Sequence, residues 1–188
     1  MKTTDFVVRR AEDIARNVRG FTILELTIAA ALVAITAGIA APGMLDLIRS
    51  NRLSTAAREL DADILLARRE AIERKARVLV CVAGSTAGSC GTGAVWARGW
   101  LVCYDANQDN ECDASTSTHR NPIRQHAELD PTLTLTGPAA VARFNANGTQ
   151  GAAGASTLTF TARGAWTGSK TYVETVTPTG NVSLTAGS

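Results

Sequence analysis

The sequence predicts an α+β protein: one long N-terminal helix, half apolar and half amphipathic, packed on a C-terminal antiparallel β domain. Three observations lead there. Residues 21–41 form an apolar run carrying a single charge, Glu25. Residues 53–71 then repeat apolar side chains at helical spacing, and from residue 78 the chain turns to short β-type runs divided by Gly, Asn and Pro. One helix followed by a series of strands is the order of an α+β domain.

With 188 residues the chain has room for one modest domain and an anchor. Of its 19 Lys and Arg and 17 Asp and Glu, residues 1–20 hold five and three, which leaves 14 of each sign in the remainder. That balance gives no strongly basic face in bulk, the usual footprint of a nucleic-acid binder. Aromatics make up only 5% of the chain, and the C-terminal half is rich in Gly, Ala, Thr and Ser. Such a composition suits short strands and surface loops.

As a helix, residues 21–41 would rise about 31 Å, enough to cross a hydrocarbon core of about 30 Å. An ordinary secretory signal fits poorly. The preceding segment is some 20 residues long and contains Asp5, Glu12 and Asp13, and the apolar run exceeds the usual ~7–15 residues. A plain single-span anchor, with Thr22-x-x-Glu25 as a capping box, accounts for the acid locally. Yet a lone carboxylate in a membrane helix costs about 2.5–3.5 kcal/mol and calls for a partner. Arg9, Arg10, Arg16 and Arg19 would hold the leader on the cytoplasmic side.

Pro42-Gly43 marks an expected kink or local break. Beyond it Leu53, Ala56, Leu60, Ile64, Ala67 and Ala71 lay one apolar stripe along an amphipathic helix over 42–77. Arg52, Arg58, Arg68, Arg69 and Arg74 fall mostly off that stripe, interleaved with Glu59, Asp61, Asp63, Glu70 and Glu73. They read as a solvated face rather than a DNA track, with Glu70 and Arg74 spaced for an i,i+4 pair. Strands are expected at 77–83, 99–104, 122–128, 132–136, 141–145, 157–161, 171–176 and 181–185 in a β domain over 78–188.

Four cysteines fall in this domain, Cys81, Cys90, Cys103 and Cys112. They form no CxxC, and His119 and His126 match no ligand pattern, so disulfides are expected rather than zinc. Three connectivities stay open. Pairing Cys81 with Cys90 and Cys103 with Cys112 would clamp one strand end to its loop in each case, worth about 2.5–3 kcal/mol per bridge. Asp105-Ala-Asn107-Gln-Asp109-Asn-Glu111 begins like a calcium loop. Its sixth position is Asn110 rather than Gly and its twelfth is Thr116 rather than Glu, so a turn closed by Asx side chains is the expectation. The 105–113 loop is assigned no metal, and no cofactor is expected. No G-x-S-x-G, HExxH or P-loop occurs, and no nucleophile is paired with a base, so the chain reads as a non-enzyme with no catalytic residues.

The stretch "GFTILEL" at residues 20–26 resembles the class III signal of type IV pilins and pseudopilins. The resemblance implies that a membrane-bound prepilin peptidase cuts after Gly20, removing the 1–20 leader, and methylates the amine of Phe21. It implies that 21–41 is both a transmembrane helix and a filament-core helix. Glu25 would be the assembly acid, set against a neighbouring subunit's N-terminal ammonium. The run "VLVCVAGSTAGSC", followed by Trp96, Gly99-Trp100-Leu101-Val102 and Asp105-x-Asn107-x-Asp109, is similar to the GspH/FimT-type minor pilins and pseudopilins. Cys103 departs from that pattern, where a large apolar residue is usual, and suits a second disulfide with Cys112.

The function implied is a minor type IV pilin, a structural subunit in the initiation or tip of a pilus. The alternatives are a minor pseudopilin of a type II secretion system and a DNA-binding minor pilin. The implied partners are other pilin or pseudopilin subunits, the prepilin peptidase and inner-membrane lipid. The chain would be a single-pass inner-membrane protein with a periplasmic domain, then part of a pilus or pseudopilus. DNA is disfavoured, because Gly180-Asn181-Val182-Ser183 lacks the arginines of the DNA-binding members and their phosphate attraction. Arg143, Arg163 and Lys170 remain as candidates for a patch elsewhere.

Overall fold

The computed structural model describes residues 20–116, 120–138, 141–151 and 156–187, with the side chains of 39–43 left out. The leader 1–19 and His119 lie outside the described residues. The chain divides into two units at Asp46/Leu47, and the long helix α1, Ile23–Arg74, contributes to each.

In the first unit α1 begins at Ile23, two residues later than the apolar run, because Thr22 caps it. The Glu25 N–H donates to Thr22 Oγ1 at 3.2 Å and the Leu26 N–H to Thr22 O at 3.1 Å, satisfying two of the orphan donors of a helix start. Among the described residues no helix is long and apolar enough to cross a membrane; the stretch 21–41 expected to span it includes residues 39–41, whose side chains are not described. Nor does α1 break at Pro42-Gly43, since it is helical without interruption from Ile23 to Arg74. Proline removes one i→i−4 bond, and the remaining bonds carry the helix past it.

In the second unit α1 ends at Arg74, three residues before the expected end. Lys75 adopts φ +52°, a left-handed cap, and Arg77 is drawn away toward Asp105, donating to its Oδ2 through Nε at 2.8 Å. Among the described residues eight strands follow: β1 Val78–Val82, β2 Trp100–Tyr104, β3 Arg124–His126, β4 Leu133–Thr136, β5 Ala142–Phe144, β6 Leu158–Gly164, β7 Thr171–Val176 and β8 Val182–Gly187. They form two four-stranded sheets, β3-β2-β1-β5 and β4-β6-β7-β8, and every strand pair is antiparallel. The α+β architecture read from the sequence is the one observed.

The helix stripe buries Leu53, Ala56, Leu60, Ile64, Ala67 and Ala71 in one core with side chains from both sheets, including Val80, Val102, Phe144, Phe160 and Val176. Small residues at Ala56, Ala67 and Ala71 bring the helix close to the strands. Trp96, in a 3₁₀ turn over Trp96–Arg98 that the sequence pattern does not signal, joins the sheets. Its ring meets Phe160 edge-on at 4.7 Å, and its Nε1–H donates to Pro138 O at 3.0 Å. Gly137 is required there, because a Cβ would stand 2.5 Å from Phe160 Cδ1 and 2.7 Å from Trp96 Nε1.

β1 and β2 are buried along their whole length, because their second face is covered too. Leu79, Cys81, Leu101 and Cys103 form a separate buried cluster on that face. It is roofed by two loops through the disulfides Cys81–Cys90 and Cys103–Cys112.

Glu174 on β7 is 2% exposed, in register with Phe160 and Leu184. Burial first, then the charge of Asp61 on α1 and a side-chain hydrogen bond with it, push its pKa up to about 8. The folded state therefore holds this proton more tightly than the unfolded chain, and stability falls as pH rises from about 4.5 toward 8. We expect the midpoint of urea unfolding to drop over that window, and Glu174→Gln to flatten the profile. An unchanged profile in the variant would show that Glu174 is not the group responsible.

Candidate assembly site

The apolar side chains of the N-terminal segment are exposed. Phe21 and Ile23 are 82% and 84% exposed, and Leu24, Leu26, Ile28, Leu32, Val33 and Ile35 are exposed as well. A helix that is apolar around its circumference and has no cover is stable only when lipid or other chains surround it. Glu25 is the only acid in the first turn of α1. Its backbone N–H is used by the Thr22 cap, while among the described residues no donor or cation meets its carboxylate. The cap thus explains the position of Thr22 and makes no use of the Glu25 carboxylate. Gly20 is exposed immediately before Phe21.

Four arginines of the second half of α1, Arg52, Arg68, Arg69 and Arg74, are engaged within the domain. Arg52 pairs with Asp130 at 2.5 Å, Arg69 with Glu73 at 3.5 Å and Arg74 with Glu70 at 2.8 Å. Arg68 donates to Gly148 O at 3.2 Å. Glu70 also accepts from the Tyr104 hydroxyl at 2.5 Å; that bond, with the Arg74 contact, holds its carboxyl below the usual range. Arg143 stands in register with Leu79 on one sheet, and Arg163 with Thr134 and Thr171 on the other, so strand pairing does not gather them into a patch.

The acidic loop after β2 is closed by its own chain. Asp105 is fully buried. Its Oδ1 accepts the Asp109 N–H at 3.0 Å, and its Oδ2 accepts the Asn110 N–H at 3.1 Å as well as the Arg77 guanidinium. Asp109 accepts from the Glu111 N–H at 2.8 Å and Asp113 from the Ala106 N–H at 2.7 Å. Asx side chains thus accept backbone N–H groups along the loop, as in an Asx turn.

A polar contact that sequence reasoning missed ties α1 to β2 and β3. Asp63, 1% exposed, accepts the Trp100 Nε1–H at 2.8 Å and an Arg124 N–H at 2.7 Å. Trp100 stacks on His126 with centroids 4.0 Å apart, and His126 Nε2 lies 2.7 Å from Glu59 Oε2. A signal for it exists: Asp63 falls three residues after Leu60, on the apolar stripe, where an acid needs a buried donor.

An exposed, capped apolar helix that continues into a helix packed on two antiparallel sheets defines a pilin-like structural subunit rather than an enzyme. The chain belongs to the family described as type II transport protein GspH, whose pattern matches residues 56–181. The prokaryotic N-terminal methylation motif matches residues 15–41. No curated protein sequence matches. Among solved structures, the type IV minor pilin FimU of Pseudomonas aeruginosa is 21% identical with a TM-score of 0.51, over 72% of this chain and 89% of that one. The minor pseudopilin EpsH from the type 2 secretion system of Vibrio cholerae is 15% identical with a TM-score of 0.51, over 72% of this chain and 97% of that one. These two likenesses are likenesses of fold.

Proposed function

We propose that this protein is a minor type IV pilin, made with a removable leader and assembled through its N-terminal helix. The observation that carries the reading is the exposed apolar run from Phe21 to Ile35, whose first helical turn holds one acid that meets no donor or cation among the described residues. Prepilin peptidase cleaves after Gly20 and methylates Phe21, and the basic leader keeps this junction at the cytoplasmic face of the inner membrane. Lipid covers the apolar helix until it enters a filament, where neighbouring pilin helices take the lipid's place and the domain from Leu47 onward faces outward. Glu25 meets a neighbour's Phe21 ammonium, so two charges that would each be stranded in an apolar bundle neutralise one another.

The second reading, a minor pseudopilin of a type II secretion system, is favoured by the family match over 56–181 and by the likeness to EpsH. Deleting the gene separates the two. A pilus role predicts loss of surface pili and twitching with protein export intact. Lost export with normal piliation would place the protein in a pseudopilus. DNA binding is disfavoured, since the segment 180–183 carries no arginine.

A further inference from the structure

The four cysteines show no metal-ligand spacing along the chain, yet the fold brings them to one point. Register places Leu79 opposite Cys103 and Cys81 opposite Leu101, so Cys81 and Cys103 are diagonal neighbours on the same face. Both are fully buried, while Cys90 and Cys112 are partly buried above them. All four Sγ atoms lie within 4.8 Å of one another, and Cys90 Sγ is 3.6 Å from Cys112 Sγ across the two bridges.

From this cluster we propose that the reduced protein holds one zinc ion in a Cys81/Cys90/Cys103/Cys112 tetrathiolate site, which disulfide closure abolishes. A tetrahedral zinc with Zn–S of about 2.3 Å requires sulfurs about 3.8 Å apart. The unbonded pair already stands near that separation, and the bonded pairs reach it by side-chain rotation once released.

The loops that carry Cys90 and Cys112 are fixed independently of the bridges. Gly84 N–H donates to Ser89 O at 2.8 Å and Gly91 N–H to Val82 O at 2.7 Å, which holds Cys90 over β1. Asp113 N–H donates to Tyr104 O at 3.0 Å, and the Asp105 network sets the rest of the second loop. Reduction therefore leaves the four thiols convergent in a pocket that Leu79 and Leu101 keep dry. The partly exposed Cys90 and Cys112 side is the entry path.

The two states are related by balanced chemistry. Two equivalents of a dithiol convert both bridges to four thiols and are themselves oxidised to two cyclic disulfides. Zinc then displaces four protons from the thiols. In the opposite direction, a disulfide oxidant removes four electrons and the ion is released. A chain that has not yet met such an oxidant would carry its sulfurs protected on the metal.

The full chain in detergent micelles, reduced and freed of reductant without air, provides the test, with Co²⁺ as the probe and Zn²⁺ as its competitor. One equivalent of Co²⁺ with the intense absorption of a tetrahedral tetrathiolate is expected, displaced by one equivalent of Zn²⁺. The oxidised chain should give no such spectrum, and Cys90→Ser and Cys103→Ser should each abolish it. Cobalt uptake without thiolate absorption, or absorption that survives either substitution, would overturn the proposal. So would a reduced chain that takes up no metal, whether its circular dichroism shows it folded or unfolded.

Discussion

Glu25→Ala is expected to be inserted, cleaved and methylated like the parent protein but to be nearly absent from assembled filaments. The reason is the stranded charge it leaves. When the mature helix enters an apolar bundle, the Phe21 ammonium of a neighbour must be neutralised there, and Glu25 is the only acid in the first turn of α1. A single uncompensated charge in such surroundings costs about 2.5–3.5 kcal/mol, and each ~1.4 kcal/mol is a factor of ten. Recovery in sheared filaments, relative to the membrane pool, should therefore fall roughly 100-fold. Glu25→Asp keeps the charge on a shorter side chain and should fall less. Equal incorporation of Glu25→Ala and parent would remove the acid from the assembly mechanism.

Asp63→Ala should produce the largest loss of domain stability. It removes the acceptor of a buried indole N–H and the partner of Arg124 in one step, with Asp63 itself 1% exposed. Leaving the buried Trp100 N–H without its acceptor costs about 1–3 kcal/mol, while Arg124, whose side chain is 53% exposed, adds only a surface-bridge increment. For a domain of this size, that lowers the melting temperature by roughly 5–10 °C. Asp63→Asn keeps an acceptor for Trp100 and loses only the charge, so it should retain a good part of the difference. A loss below about 1 kcal/mol for Asp63→Ala would mean the pair contributes no more than a surface bridge.

Much of this fold is legible in the sequence, for physical reasons that differ by element. β4 is readable because Leu133 and Leu135 are buried and alternate with exposed Thr134 and Thr136, the period of a half-buried strand. β1 and β2 are readable as continuous apolar runs, since a second layer covers their outer face. The core stripe on α1 follows from its 3–4 spacing. The ends are harder: Thr22 delays the helix start, and the Lys75 cap with the Arg77–Asp105 bond ends it early, both decided by hydrogen bonds that periodicity does not see. Pro42 is carried within the helix, although its lost N–H argues for a break.

What the sequence withholds depends on which residues meet across the fold. The convergence of four sulfurs follows from the β1–β2 register, in which Cys81 and Cys103 share a face, and no spacing rule contains that register. The Trp100–Asp63–Arg124 contact likewise needs the helix seated on β2 and β3. The Trp96 turn joins the two sheets without any local signature. Glu174 reads as an ordinary polar residue within a strand until its face is fixed by pairing with β6 and β8. At the N-terminus the reverse holds. The short signal around Gly20, Phe21 and Glu25 is read from the residues alone, because the role proposed for it is processing and assembly rather than packing within this chain.

The account depends on a new, positively charged chain end at Phe21 that Glu25 of a neighbour can meet. Intact and peptide mass spectrometry of the protein isolated from its native membranes tests this most directly. A mature chain that begins at Phe21 and carries one added methyl group on its amine is the predicted result. A chain that retains residues 1–20, or begins at any other residue, would contradict the account.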